Sequence, residues 1–312
     1  GLLAAVNGAD TTKKTADETM TVVADGSRQS ATNGYQPVNT STATLTSMPM
    51  LDIPQVVNTV SEQVLQDQHA TNLDEALYNV ANVVQTNTLG GTQDAFTRRG
   101  FGANRDGSIM TNGLRTVLPR SFTAATERVE VLKGPASTLY GILDPGGLIN
   151  VVTKRPERTF GGSVSATSTS FGGGTGRFDV TGPIDGTPLA YRVIGEYQHE
   201  DYWRNFGKEK SSFINPSLTW FGERATVNVS YSHRNYSTPF DRGTIFDLNT
   251  GHAVNVDRKT RFDEPFNITD GYSDLAQLNA EYRLSDAWTA RFDYSYSQDH
   301  YNDCLLYTSD AA

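Results

Sequence analysis

From about residue 160 onward the chain alternates. In LAYRVIGEYQHE one face carries Leu189, Tyr191, Val193, Gly195 and Tyr197, and the other Ala190, Arg192, Ile194, Glu196, Gln198 and Glu200. ATVNVSYSHR sets Ala225, Val227, Val229 and Tyr231 against Thr226, Asn228, Ser230 and Ser232. AQLNAEYRL repeats this with Leu278 and Tyr282, and WTARFDYSYSQ with Trp288, Phe292, Tyr294 and Tyr296. A period of two marks a strand whose faces meet different surroundings. Such segments are predicted near 161–171, 175–184, 188–202, 212–222, 224–236, 273–284 and 287–301. Their length, roughly ten residues or more, suits tilted strands crossing a bilayer.

The connections sharpen this. PIDGTP, GER and SDA are short, whereas EDYWRNFGKEKS and the 237–272 segment are long, and the two kinds largely alternate; GGGTG is the short exception. Short turns at one end and long loops at the other are the arrangement of an outer-membrane barrel. A soluble antiparallel sandwich alternates too. The apolar faces here end in Tyr197, Trp220, Tyr231, Trp288 and Tyr296, as interfacial girdles do, and the opposite faces carry Arg, Glu, Gln and Asn. The barrel is the favoured reading.

Residues 46–158 follow another pattern, that of a mixed α/β unit of ordinary domain size. LDIPQVVNTVSEQ predicts an extended segment and then a turn led by Ser61. TNLDEALYNV starts a helix, with Thr71 and Asp74 in capping-box spacing. Leu73, Ala76, Leu77 and Val80 fall on one helical face. RVEVL and LINVV, around ERVEVLKGPASTLYGILDPGGLINVVTKRP, predict two strands folded back on each other. Residues 1–45 are rich in Thr, Ala, Asp, Ser and Asn and read as a mobile arm, interrupted by the strand-prone island DETMTVVADG. The opening GLLAAV is compatible with the stub of a secretion signal. The ending CLLYTSDAA breaks the alternation, and residues 304–312 read as a non-native tail.

Composition changes little. A mean hydropathy of −0.45 fits a soluble protein and equally a barrel, whose strands average to a hydrophilic chain. A net charge of −9 argues against a nucleic-acid binder, which needs a basic face. The single cysteine, Cys304, permits no internal disulfide. Five scattered histidines show no metal-ligand spacing, and HExxH, G-x-S-x-G and a phosphate loop are all missing. No catalytic set, resident metal or cofactor is expected.

LDIPQVVNTVSEQVLQDQ, NLDEALYNV, RRGF at 98–101, NGLR at 112–115, ERVEVLKGPASTLYG and DPGGLINVVTKRP come in order and at family-like spacing. Together they resemble the TonB-dependent outer-membrane receptors, the ferric-siderophore branch in particular, over about residues 17–303. The resemblance implies a plug domain at 46–158 inside a barrel whose first strands and loops occupy 159–303, out of about 22 in a plugged transporter. It further implies a periplasmic arm at 1–45 with a TonB box at Glu18, Thr19, Met20, Thr21 and Val22. Arg99 and Lys133 match positions where the family places plug cations against barrel carboxylates. Arg105, Arg115, Arg120 and Phe122 on apical plug stretches, with Tyr202 and Trp203 in a loop, are the ligand candidates. The implied partners are TonB with its inner-membrane complex, a ferric siderophore and outer-membrane lipid, and a monomer is the expected state. Iron would arrive already chelated. The alternatives are another cargo (cobalamin, haem or a sugar) and a non-transporting surface β-protein, which would need neither plug nor box.

Overall fold

The structure is a computed structural model that describes residues 56–86, 88–98, 100, 108–134, 146–241, 243, 245–247 and 249–304, together with the backbone of five short stretches between 19 and 49. In chain order the elements are β1 (Thr19–Ala24), β2 (Val56–Val60), α1 (Glu62–Asp67), α2 (Leu73–Leu77), β3 (Val83–Gln85), β4 (Phe96–Arg98), β5 (Ile109–Thr111), β6 (Leu114–Arg115), β7 (Thr126–Lys133) and β8 (Gly147–Thr153). The long strands follow: β9 (Gly161–Ser168), β10 (Gly173–Pro183), β11 (Leu189–Asp201), β12 (Lys208–Phe221), β13 (Ala225–Pro239), β14 (Ile268–Arg283) and β15 (Thr289–Cys304). Two further pairs of two-residue strands lie between Thr32 and Pro49.

The inner unit is a five-stranded sheet ordered β6-β5-β8-β7-β2, with α1 and α2 beside it. The helices form where the sequence places caps. Ser61 expected only a turn, but its hydroxyl accepts from the Val64 N–H and starts α1. The α2 cap sits one residue later than Thr71: Asn72 accepts from the Glu75 N–H at 2.9 Å, and the Glu75 carboxylate answers by accepting the Thr71 N–H at 2.7 Å. Leu73, Ala76, Leu77 and Val80 all face the core, joined there by Phe96, Val129, Val131, Ile149 and Val151. The predicted hairpin is present as β7 against β8, antiparallel from Thr126↔Thr153 to Lys133↔Gly147. Gly147 has φ +106°, and a Cβ there would lie 1.9 Å from the Leu132 carbonyl oxygen, so only glycine closes this end.

The wall is a single antiparallel sheet in chain order from β9 to β15, as the alternation requires. In β12 residues Ser211, Phe213, Asn215, Ser217 and Thr219 are buried toward the inner unit, while Ile214, Pro216, Leu218 and Trp220 are exposed on the other side. Cross-strand register carries the same outward face through Val229 opposite Leu218 and Leu278 opposite Val229, to Tyr294 opposite Leu278. On this face a Cβ on Gly195 would meet the Phe178 ring at 2.2 Å, so the ring lies across that position.

Four wall strands outrun the prediction. β12 begins at Lys208, β13 ends at Pro239, β14 begins at Ile268 and β15 ends at Cys304. Their extra residues gather at the long-loop end and are mostly polar on both faces, so alternation carries no hydropathy signal there. Within the arm, β1 pairs antiparallel with β9 from Thr19↔Thr167 to Ala24↔Gly162. An edge strand offers unpaired N–H and C=O groups, and a short strand-prone segment satisfies them. Among the described residues no helix is long and apolar enough to cross a membrane.

Candidate functional site

The linker from β8 to β9 fastens the inner unit to the wall by charge. Arg192 on β11 grips Asp179 on β10 with two bonds of 2.8 and 2.7 Å, and both side chains are about 4% exposed. The same guanidinium donates to the Arg155 carbonyl at 2.9 Å and to Glu157 at 3.1 Å. Lys154 lies 3.0 Å from Asp179 and 3.0 Å from Glu62 of α1. Two cations thus pair with three carboxylates across the junction. Burial raises the pKa of nearby Glu127; Arg128 opposes that rise and Glu62 adds to it.

Across the sheet the contacts are neutral. Asn112 donates to Gln277 on β14 at 2.6 Å, Gln277 donates back to the Thr111 carbonyl at 3.1 Å, and the Val117 N–H reaches Ser297 on β15 at 3.0 Å.

At the long-loop end the inner unit and wall part around a cavity of about 170 Å³. Its inner side is the α2 start, Gly91–Asp94 and Pro119–Phe122; its outer side is Gln198, Glu209, Ser211, Arg234 and Tyr236. Arg120 bridges Asp74 at 3.3 Å and Asp94 at 3.2 Å and also donates to the Gly91 carbonyl. Asp94, 2% exposed, accepts in addition from the Ser121 N–H at 2.7 Å. Burial works against the charge of Arg120, yet Asp94 and then Asp74 outweigh it and the guanidinium pKa rises. For Asp74 burial dominates, so its pKa is raised despite Arg120.

Two loops close over this end. The Tyr202 hydroxyl donates to Asp241 at 2.9 Å, and burial followed by that bond pushes its pKa up. Arg204 pairs with Asp241 at 3.2 Å, Arg261 lies over the rings of Tyr202 and Phe206, and the Asn205 N–H donates to the Lys259 carbonyl at 2.9 Å. The Asp241 N–H reaches the Gly90 carbonyl at 3.3 Å, which joins the loops to the inner unit.

The ligand candidates separate accordingly. Arg120 and Phe122 line the cavity, with Phe122 buried in the core behind it. Tyr202 is engaged in loop packing, Trp203 is 38% exposed beneath Arg204, and Arg115 is exposed on β6. Arg99 and Arg105 lie outside the described residues, as does Glu18; Thr19, Met20, Thr21 and Val22 fall in β1. Lys133 ends β7 opposite Gly147. Sequence reasoning missed Lys154, Asp179 and Arg192 at the junction, and Glu209, Arg234 and Tyr236 in the cavity. Alternation placed Arg192 on the polar face, but its partner depends on the β10–β11 register.

Residues 49–148 match the family described as TonB-dependent Receptor Plug Domain. The metal-pseudopaline receptor CntO of Pseudomonas aeruginosa is 31% identical over 289 residues, 91% of this chain and 40% of the relative. The catecholate siderophore receptor Fiu of Escherichia coli K12 is 31% identical over 264 residues, 78% of this chain and 34% of the relative. The crystal structure of Fiu in its closed form superposes with a TM-score of 0.76 at 28% identity, covering 86% of this chain and 40% of that one. The ferripyoverdine receptor of P. aeruginosa, at 20% identity and a TM-score of 0.78 over 87% of this chain and 37% of that one, shares the fold. The chain therefore spans about 40% of the length of the CntO relative it matches. With a plug-domain match and a fold shared with solved receptors over most of its length, the chain belongs to the TonB-dependent receptor family.

Proposed function

We propose that this chain is part of an outer-membrane receptor that binds a ferric siderophore and imports it with energy transmitted by TonB. The observation that carries the reading is the pairing of a packed plug with a wall that is apolar outside and polar inside, leaving a cavity between them at the long-loop end. The relatives' names support the cargo class: one takes metal-pseudopaline, one catecholate siderophores, and a receptor of Salmonella typhimurium, 27% identical over 80% of this chain and 38% of its own length, takes ferrioxamine B. Three chelate chemistries share the scaffold, so the class transfers and the individual ligand does not. Cobalamin, haem or a sugar is the alternative cargo.

In this reading the long loops face outside, lipid covers the apolar face, and the receptor is a monomer whose arm at 1–45 and plug at 46–158 face the periplasm. The barrel strands run from 159 to 303. The ligand meets Arg105, Arg115, Arg120, Phe122, Tyr202 and Trp203 around the plug apices and loops. Arg99 and Lys133 hold the plug against wall carboxylates. Glu18–Val22 then pairs edge to edge with a strand of TonB, and the force transmitted remodels the plug. No bond in the chelate need change.

The test is radioiron uptake in iron-starved cells producing the receptor with this sequence, with Met20→Pro as the variant. Proline removes one backbone donor from the box. The expected result is surface binding at the wild-type level with uptake abolished. Equal loss of binding and uptake would assign residues 18–22 to structure instead of coupling.

A further inference from the structure

The cavity between plug and wall holds two charges that no described residue meets with a hydrogen bond or an ion pair. Of the charged side chains that strand alternation turns toward it, Arg234 and Glu209 alone have no hydrogen-bond or ion-pair partner among the described residues. Their neighbours are committed. Asp94 is taken by Arg120 and the Ser121 N–H, Glu196 by Arg177, and Glu200 by Gln198. The Tyr236 hydroxyl donates to Asp299, and its ring sits 5.8 Å from the Arg234 guanidinium, which orients the cation without neutralising it. Both unanswered side chains are part-buried. A part-buried charge without a partner is costly, and the cost is recovered when a ligand supplies one.

Size and spacing narrow the ligand. A cavity of about 170 Å³ is smaller than the 300–1,000 Å³ of sites that enclose a whole small molecule. It fits one limb of a larger chelate. In the β12–β13 register Arg234 stands opposite Phe213, four residues along β12 from Glu209, so the two Cα rows are offset by about 13 Å along the strands. Two long side chains reaching inward bring the heads within range of one limb bearing both signs.

Resting on the siderophore reading, we propose that this cavity is a subsite for a zwitterionic limb of the chelate. The limb would carry a carboxylate that does not ligate the metal, bound by Arg234, and an ammonium bound by Glu209. Arg234 and Glu209 are then specificity residues, and the metal-binding core of the ligand sits outside the cavity.

The test measures equilibrium binding to the receptor in outer-membrane vesicles. Two ferric cores are used, a tris-hydroxamate and a tris-catecholate, each with one amine capped in four ways: acetyl (neutral), succinyl (carboxylate), free (ammonium) and aspartyl (both). On whichever core binds, the aspartyl form should bind tightest, about tenfold to a hundredfold better than acetyl, as charge-assisted hydrogen bonds allow. Arg234→Gln should remove the advantage of the succinyl and aspartyl forms and leave acetyl binding unchanged. Glu209→Gln should do the same for the free-amine and aspartyl forms. Equal binding of all four limbs by the wild type, or a uniform fall across them in either variant, would overturn the subsite and leave the siderophore reading standing. Failure of both cores to bind a folded receptor would overturn both.

Discussion

The plug and the wall are built from similar residues arranged inside out with respect to each other. In the plug Leu73, Val129, Ile149 and Val151 are fully buried and charged groups face outward or pair. In the wall Trp288 is 72% exposed, Tyr197 60% and Phe292 58%, while Asn228, Gln277 and Thr219 on the opposite face are nearly inaccessible. A water-soluble domain buries apolar surface against itself; a barrel strand leaves it for lipid and turns polar groups toward the lumen. The plug makes the arrangement workable, because inward polar groups of the wall find partners on it. The difference therefore predicts that one class of substitution has opposite consequences in the two regions.

The largest effect is expected where the regions meet. Asp179→Ala leaves Arg192 and Lys154 facing each other without their shared carboxylate. Breaking a buried ionic cluster by deleting one partner costs roughly 3–5 kcal/mol. The plug should become sensitive to added protease in outer-membrane preparations while the wall still resists. Asp179→Asn should fall between, since it keeps hydrogen bonds and loses charge. Unchanged protease resistance in Asp179→Ala would mean that the neutral contacts of Asn112, Gln277 and Ser297 hold the plug alone.

Next comes a matched pair of leucines. Leu73→Ala in the plug should cost about 2–5 kcal/mol through lost burial and a residual cavity. Leu218→Ala, with 41% of the residue exposed on the outward face, should cost far less, because lipid fills the space. Leu218→Arg inverts the ranking on that face: a cation there should cost about 2–4 kcal/mol near the bilayer midplane. Urea unfolding in phospholipid vesicles measures all three. A neutral Leu218→Arg would show that water, and not lipid, covers this face, and the contrast between the regions would collapse.

Much of the contrast was legible in the chain. The helical face of Leu73, Ala76, Leu77 and Val80 and the alternation of Val227, Val229 and Tyr231 each carry their period in a short window, and both sit as expected. The strand tops were not legible, because KEKSS and STP have no apolar partner face from which to read a period. The α2 cap moved by one residue because Asn72 caps as well as Thr71. The site was less legible than the fold. Tyr202 and Arg120 look like ligand residues by type, yet each is engaged by carboxylates brought from far along the chain, Asp241 for one and Asp74 and Asp94 for the other. Arg234 and Glu209 attracted no notice for the converse reason. Their distinction is the lack of a hydrogen-bond or ion-pair partner among the described residues, and that exists only once the strands are in register.

The smallest effect concerns the plug side of the cavity, and its sign is informative. Asp74 has its pKa raised above 3.8, first by burial, with Arg120 opposing and Asp94 adding to the rise. A carboxyl with a higher pKa folded than unfolded favours the folded state fully only below the unfolded value. That contribution is lost as pH rises through the folded value. Above that range the ionised Asp74 is thus a net burden on the plug, because its burial outweighs the attraction of Arg120. Asp74→Asn should leave the protein as stable at pH 7 or slightly more so, by less than about 1 kcal/mol, the scale of a weak ion pair. The gain should shrink as pH falls and vanish below the unfolded value of 3.8, where the carboxyl is protonated in both states. A variant less stable at pH 7, with the gap closing on acidification, would make Asp74 the working partner of Arg120 and transfer to the ion pair the control assigned here to burial.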